Sequence, residues 1–221
     1  QAPLVYHWSN GAATQNISSV AAGNYQITVT DNLGCAGSAS AVISEPPQLV
    51  ITETHSNVLC NGGNTGSVTV SANGGVPGYS FIWNDGNTSL ARNNLSAGNY
   101  QVIVTDNNSC TASNNIAITQ PAQLAANDTH VNVLCNGGNS GSISITAAGG
   151  TIPYAYLWND GNTSSARTSL NAGNYSVVVS DSNMCTVSLA ITLTEPGALN
   201  VSETHSNVLC YGGNSGAINL S

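Results

Sequence analysis

The feature that most constrains this chain is a period of 75 residues, kept without slippage from one end to the other. Trp8, Trp83 and Trp158 follow it, as do Tyr25, Tyr100 and Tyr175, each closing the phrase Ala-Gly-Asn-Tyr. So do Asp31, Asp106 and Asp181, Cys35, Cys110 and Cys185, His55, His130 and His205, and Cys60, Cys135 and Cys210. Self-similarity at a fixed period means repeated modules and overrides a domain count taken from length alone. Matched Trp and Cys positions exclude low complexity as its cause. Pro46, Pro121 and Pro196, each after Glu or Gln, end an alternating segment and mark the joints. The division expected is residues 1–46, the C-terminal part of a repeat with strands C to G; 47–121 and 122–196, two complete repeats; and 197–221, strands A and B of another. A partial unit is too small to bury a full core alone. Continuity is expected, through a longer array or through completion by neighbouring molecules.

Within 47–121 the periodicity is that of strands. Leu49 to Thr54 reads as strand A, continued with a kink by Val58 to Cys60, and Asn61-Gly62-Gly63-Asn64 turns the chain. Ser67 to Ser71 alternates apolar and polar residues as strand B, and Tyr79 to Trp83 forms strand C before the hairpin signal Asn84-Asp85-Gly86. A short polar strand runs from Ser89 to Leu95, Asn99 to Thr105 is strand F, and Ser113 to Thr119 is strand G. About seven short strands, an aromatic on strand C and a Tyr at the start of strand F predict an all-β fold: tandem immunoglobulin- or fibronectin-like sandwiches, arranged as a rod or filament. Trp8, Trp83 and Trp158 read as core. The hydroxyls of Tyr25, Tyr100 and Tyr175 are expected to bond nearby backbone, as in a tyrosine corner.

Composition narrows the functional classes. The chain holds 2 Lys and Arg against 10 Asp and Glu, for a formal net charge of −8, with 41% apolar and only 5% charged residues. Two cations cannot neutralise a row of phosphates, which argues against nucleic-acid binding, and an anionic membrane repels such a chain. No apolar run approaches the ~20 residues of a membrane-spanning helix, so no membrane insertion is expected. Polarity comes instead from Asn, Ser, Thr and Gly, residues of turns and exposed strand faces.

The run from Cys60 to Val70, Gly74-Gly75 with Pro77 and Tyr79, Trp83-Asn84-Asp85-Gly86, Leu95-Ser96-Ala97-Gly98-Asn99-Tyr100, Val104-Thr105-Asp106 and Cys110 together resemble the SprB-type repeat. The resemblance runs through the whole chain. The family's namesake is a very large surface adhesin used in gliding motility by Bacteroidetes. The resemblance thus implies export by the type IX system and display as long fibres outside the cell.

Two Cys in each repeat suggest disulfides formed in an oxidising compartment. One pairing stays within a repeat, Cys60 with Cys110 and Cys135 with Cys185. Strand parity offers another: strand A carries Cys60 to the pole opposite the loop between strands F and G that holds Cys110, and bridged Cα atoms lie within about 7 Å. Cys60 then meets Cys185 of the next repeat. Both pairings remain open from the sequence, and Cys35 and Cys210 take the matching roles in the partial repeats.

Other candidate sites are fewer. Asp85, Asp106, Asp160 and Asp181, in loops rich in Asn and Ser, offer oxygen ligands for calcium, against the simpler reading that they organise their turns through bonds to backbone. Glu53 with His55, Asp128 with His130 and Glu203 with His205 are acid-x-His pairs on extended chain, better suited to a hydrogen-bonded strand face than to a two-ligand metal site. No nucleophile elbow, phosphate loop or His-Glu-x-x-His is present, so no enzyme and no cofactor other than calcium is expected. The function expected is a structural segment of a secreted cell-surface fibre, whose partners are neighbouring repeats and other copies of the chain. The alternative is an adhesive module holding polysaccharide or another surface through repeated weak sites.

Overall fold

A computed structural model describes residues 3–221, so the first two residues of the 1–46 segment lie outside the described residues. Every regular element among the described residues is a strand. Among the described residues no helix is long and apolar enough to cross a membrane.

Six strands fill each of the two central repeats. In the first they are β4 (Val50–Ser56), β5 (Gly66–Asn73), β6 (Ser80–Trp83), β7 (Ala91–Leu95), β8 (Gly98–Thr105) and β9 (Thr111–Ile118). The same elements return 75 residues later as β10 (Ala125–Val131), β11 (Gly141–Ala148), β12 (Ala155–Trp158), β13 (Ala166–Leu170), β14 (Gly173–Ser180) and β15 (Thr186–Leu193). Before them come β1 (Val5–Trp8), β2 (Gly23–Thr30) and β3 (Ala36–Ile43), which match β6, β8 and β9 at the same interval. After them come β16 (Glu203–Ser206) and β17 (Ala217–Leu220), which match parts of β10 and β11.

Each central repeat has two three-stranded antiparallel sheets, in the orders β4-β5-β7 and β6-β8-β9, then β10-β11-β13 and β12-β14-β15. The seventh strand expected from the kinked strand A is missing. After the kink, Val58 donates a single backbone bond to Thr119 O at 2.9 Å, and the chain turns at once through Cys60 to Gly63.

By contact density the described chain divides into two compact units whose limits cut across the repeats. One comprises residues up to Thr54 with Thr69–Ala91 and Tyr100–Ile116; the other comprises His55–Val68, Arg92–Asn99 and Ala117–Ser221. In the first unit, the sheet β1-β2-β3 keeps eight residue pairs between β2 and β3, from Gly23 with Ile43 to Thr30 with Ala36. Val70, Trp83, Val102, Val104 and Ile116 are its buried apolar residues.

The second unit contains the whole of 122–196 and therefore a complete core. On β11, Ile143 and Ile145 point inward and alternate with Ser142 and Ser144, as a strand with one buried face requires. They join Trp158 from β12, Leu170 from β13, Val177 and Val179 from β14, and Ile191 and Leu193 from β15 in one cluster drawn from both sheets. This is a β-sandwich. Gly141 opens β11 where a Cβ would lie 2.7 Å from Leu170 O and 2.8 Å from a methyl of Leu193, so the close approach of the sheets requires glycine there.

Candidate functional site

The joint between the central repeats is built from the turn after strand A. Asn61 donates through Nδ2 to Pro121 O at 3.0 Å, and the N–H of Gly62 donates to Gln120 Oε1 at 2.7 Å. One period later Asn136 Nδ2 donates to Pro196 O at 3.1 Å, and Gly137 N–H donates to Glu195 Oε2 at 2.8 Å. The residues before Pro121 and Pro196 thus each hold an Asn-Gly turn by their side chains. That contact fixes Cys60 beside the point where the chain leaves its repeat.

The loop after β14 meets this turn. Asn183 Nδ2 donates to Leu59 O at 3.0 Å and to Thr151 Oγ1 at 3.1 Å. Cys60 and Cys185 are joined by a disulfide, with Cα atoms 5.7 Å apart and 125 positions between them in sequence. All these residues lie inside the second compact unit. Of the two pairings left open by the sequence, the structure holds the one between successive repeats. It does not bring Cys60 to Cys110 or Cys135 to Cys185: Cys35, Cys110, Cys135 and Cys210 are free and exposed. The physical reason is the placement of the two cysteines of a repeat, one in the turn after strand A and the other in the loop between the last two strands. A cleft of about 410 Å³ beside the bond is lined by Cys60, Asn61, Gln123, Leu124, Met184 and Cys185.

Asp106 and Asp181 organise that last loop in their respective repeats. Asp181 Oδ1 accepts the N–H groups of Asn183 and Cys185, both at 2.9 Å, and its Oδ2 accepts that of Thr151 at 2.9 Å. Asp106 takes the same three bonds from Asn108, Cys110 and Val76 at 2.8 to 2.9 Å. Both side chains are buried. The Val76 N–H above all, with those of Cys110 and Asn108, holds the Asp106 carboxyl below the usual carboxylate range against the opposing effect of desolvation. At Asp181 burial is the largest single influence and pushes upward, but the bonds from Thr151, Cys185 and Asn183 together outweigh it. Gly150, at φ +57°, makes room for this arrangement: a Cβ there would lie 2.6 Å from Asp181 Oδ2. Gly75 stands in the same relation to Asp106.

These carboxylates are therefore occupied as turn organisers. Asp85 and Asp160 each accept an N–H two residues on, from Asn87 and Asn162 at 3.1 Å. Asp160 also pairs with Arg167. Its carboxyl is lowered first by the Asn162 N–H and then by Arg167, against the desolvation that raises it. No three His, Cys, Asp or Glu side chains gather into a metal-holding group among the described residues. Of the acid-x-His pairs, Asp128 and His130 lie 2.6 Å apart and Glu203 and His205 3.3 Å apart.

The aromatic positions occupy the places read for them in the complete repeats. Trp83 and Trp158 are buried and donate through Nε1 to Ser89 O and Ser164 O at 2.9 and 2.8 Å. Trp8 makes the matching bond to Thr14 O at 2.9 Å but is only half-buried. Tyr25 and Tyr175 donate to Ala21 O and Asn171 O, four residues back, both at 2.9 Å. Tyr100 is half-buried on β8. Sequence reading missed Arg167, whose guanidinium lies 5.0 Å from the Trp158 ring centre and 5.6 Å from that of Tyr175. The signal was present: Arg92 and Arg167 are the only cations of the chain and stand 75 apart.

This geometry defines a class: tandem β-sandwich repeats of immunoglobulin type with a covalent joint. Residues 52–88 and 127–163 match the model of the SprB repeat family, a stretch that spans strands A to C of each complete repeat. No curated protein sequence matches the chain. Among solved structures, extracellular domains 3–5 of Drosophila OTK align at 14% identity over 88% of this chain and 86% of that one, with a TM-score of 0.34. Eight N-terminal immunoglobulin domains of the Down syndrome cell adhesion molecule align at 14% identity, covering 88% and 32%, with a TM-score of 0.36. Domains 1–6 of the surface layer protein SbsC align at 12% identity, covering 99% and 43%, with a TM-score of 0.33. These likenesses are too loose to carry an argument about arrangement or partners.

Proposed function

We propose that the chain is a non-catalytic structural segment of a long secreted cell-surface fibre, in which repeats are joined covalently as well as through the backbone. The observation that carries this reading is the Cys60–Cys185 bond, which spends both cysteines on the connection between repeats and none on stabilising a single one. A binding module that acts alone has no need of such a bond. A connector gains resistance to separation of its parts. The disulfide and the SprB repeats support an extracellular or surface location, since such bonds persist in oxidising compartments.

The test is imaging of the native assembly. Regular fibres with an axial repeat of about 35 to 40 Å, one sandwich of strands at ~3.4 Å per residue plus its turns, are expected. Dispersed particles without a period, together with saturable binding of a two-repeat protein on a glycan array, would replace the structural reading by the adhesive one.

A further inference from the structure

Four asparagines of the chain, Asn10, Asn61, Asn73 and Asn136, are followed directly by glycine. In such a pair the main-chain nitrogen readily attacks the side-chain amide before it, because glycine has no Cβ to shield that nitrogen and asparagine is thermolabile. The attack needs the amide folded onto the nitrogen, and the structure separates the four pairs by this criterion.

Three of the nitrogens are engaged elsewhere. The Gly11 N–H donates to Trp8 O at 2.9 Å, while Asn10 Oδ1 accepts the N–H of Ala12 at 3.2 Å. The N–H groups of Gly62 and Gly137 donate to Gln120 and Glu195, and the Nδ2 groups of Asn61 and Asn136 are tied to Pro121 O and Pro196 O. Asn73 is different. It is the exposed last residue of β5, and the Gly74 N–H donates to Asn73 Oδ1 itself at 2.7 Å. The amide is thus already folded onto the nitrogen that follows it. The turn around the pair is held firmly within the first compact unit: Gly74 O accepts the Tyr79 hydroxyl at 2.6 Å, and the Gly75 N–H donates to Pro47 O at 2.7 Å. The fold does not need an asparagine at this place. One period on, Ala148 precedes Gly149, and the turn closes in the same way, with the Tyr154 hydroxyl on Gly149 O at 2.7 Å and the Gly150 N–H on Ala122 O at 2.8 Å.

We propose that Asn73 is a self-modification site, which the folded turn converts to aspartate and isoaspartate. The Gly74 nitrogen gives its proton to hydroxide and bonds to Asn73 Cγ. The bond from Cγ to Nδ2 breaks, and Nδ2 takes a proton from water and leaves as ammonia, which regenerates the hydroxide. Water then opens the cyclic imide. Cleavage between Cγ and the Gly74 nitrogen leaves aspartate; cleavage between the main-chain carbonyl carbon and that nitrogen leaves isoaspartate, with the chain running through the former side chain. The balance is one amide and one water giving one carboxylate and one ammonium ion. The isoaspartyl product adds a methylene to the main chain where there is no slack, since even a Cβ on Gly74 would lie 1.9 Å from Gln48 O. Conversion therefore loosens the repeat where the chain enters it at Pro47 and Gln48.

The experiment is ageing of the 221-residue chain in warm, mildly alkaline buffer made with heavy-oxygen water, with isoaspartate located by peptide mapping and electron-transfer fragmentation. In the folded chain Asn73 should convert on the order of tenfold faster than Asn10, Asn61 or Asn136, giving both labelled products. In urea the four rates should converge. Asn73→Ala, the residue pattern that the second repeat already carries, should keep the circular dichroism, lose the fast conversion and retain on ageing the thermal midpoint that the parent loses. Equal rates in the folded chain, a lead for Asn73 that persists in urea, or aspartate without isoaspartate would each overturn the proposal. An aged parent rich in isoaspartate with an unshifted midpoint would overturn the loosening.

Discussion

Replacing Cys60 and Cys185 together by Ser removes the joint bond while changing little else, because both lie in turns. In the chain-entropy description a bond closing 125 positions removes roughly 2.1 plus 1.5R ln n from the entropy of the unfolded chain, about 16 cal/mol/K, or about 5 kcal/mol at 25 °C. That is comparable with the whole stability of many domains, ~5 to 15 kcal/mol. The loop takes in the rest of the first complete repeat and most of the second, so the full effect belongs to the transition that unfolds both. The assay is urea unfolding followed by Trp fluorescence, which reports the buried Trp83 and Trp158. The expected result is a lower midpoint for the double variant, with a loss approaching about 5 kcal/mol. Cys110→Ser with Cys135→Ser should stay within about 0.5 kcal/mol of the parent, as exposed substitutions do. Comparable weakening of the two variants, each of which would break both Cys60–Cys110 and Cys135–Cys185, would refute the connection between repeats and restore the bond within each repeat.

Gly150→Ala should destabilise by more than about 1 kcal/mol, the cost of a left-handed non-glycine residue, because its Cβ also meets the Asp181 carboxylate. Gly161→Ala, at φ +84° with open space around it, serves as the backbone control, and equal urea midpoints for the two would dismiss the contact. Acid should weaken the fold through Asp106 and Asp181: their folded pKa values lie below the unfolded ones, so the stability they add is present above about pH 4 and is lost as pH falls further. Thermal midpoints of Asp106→Asn with Asp181→Asn should therefore vary less between pH 4 and pH 2 than those of the parent, and parallel curves would contradict this. Millimolar calcium should leave the calorimetric midpoint unchanged, since the same carboxylates are filled by N–H donors; a rise reversed by a chelator would show that an ion displaces them.

Much of the fold is legible because the strands of each repeat are short, alternate cleanly and end in Gly, Asn and Asp turns. Ile143 and Ile145 between serines need only the period of two to reveal which face is buried. The kinked end of strand A is less legible. Val58 is buried and apolar, like a strand residue, yet its backbone makes a single bond to Thr119, which depends on where strand G ends and not on the local pattern. At the joint, strand parity places Cys60 and Cys110 at opposite poles and so admits the observed bond without selecting it. The selecting contacts come from Gln120 and Asn183, side chains whose many possible partners in sequence are narrowed only by the fold. Asp106 and Asp181 show the same limit. A carboxylate in an Asn-rich loop has the chemistry for either calcium or backbone, and the three converging N–H groups, which come from Thr151 as well as from the loop itself, are not visible in the sequence.

The joint bond also matters for force. A chain pulled from its two ends transmits tension along its backbone, and each domain that unfolds releases its stored length. Between Cys60 and Cys185 that stored length is 125 positions, about 430 Å when fully extended at ~3.4 Å each. The disulfide gives the tension a covalent route around this segment. However strongly the ends are pulled, this length stays locked until the sulfur–sulfur bond itself is reduced or broken, so the chemistry of the surroundings, and not the strength of the sandwich, decides how far this stretch can lengthen.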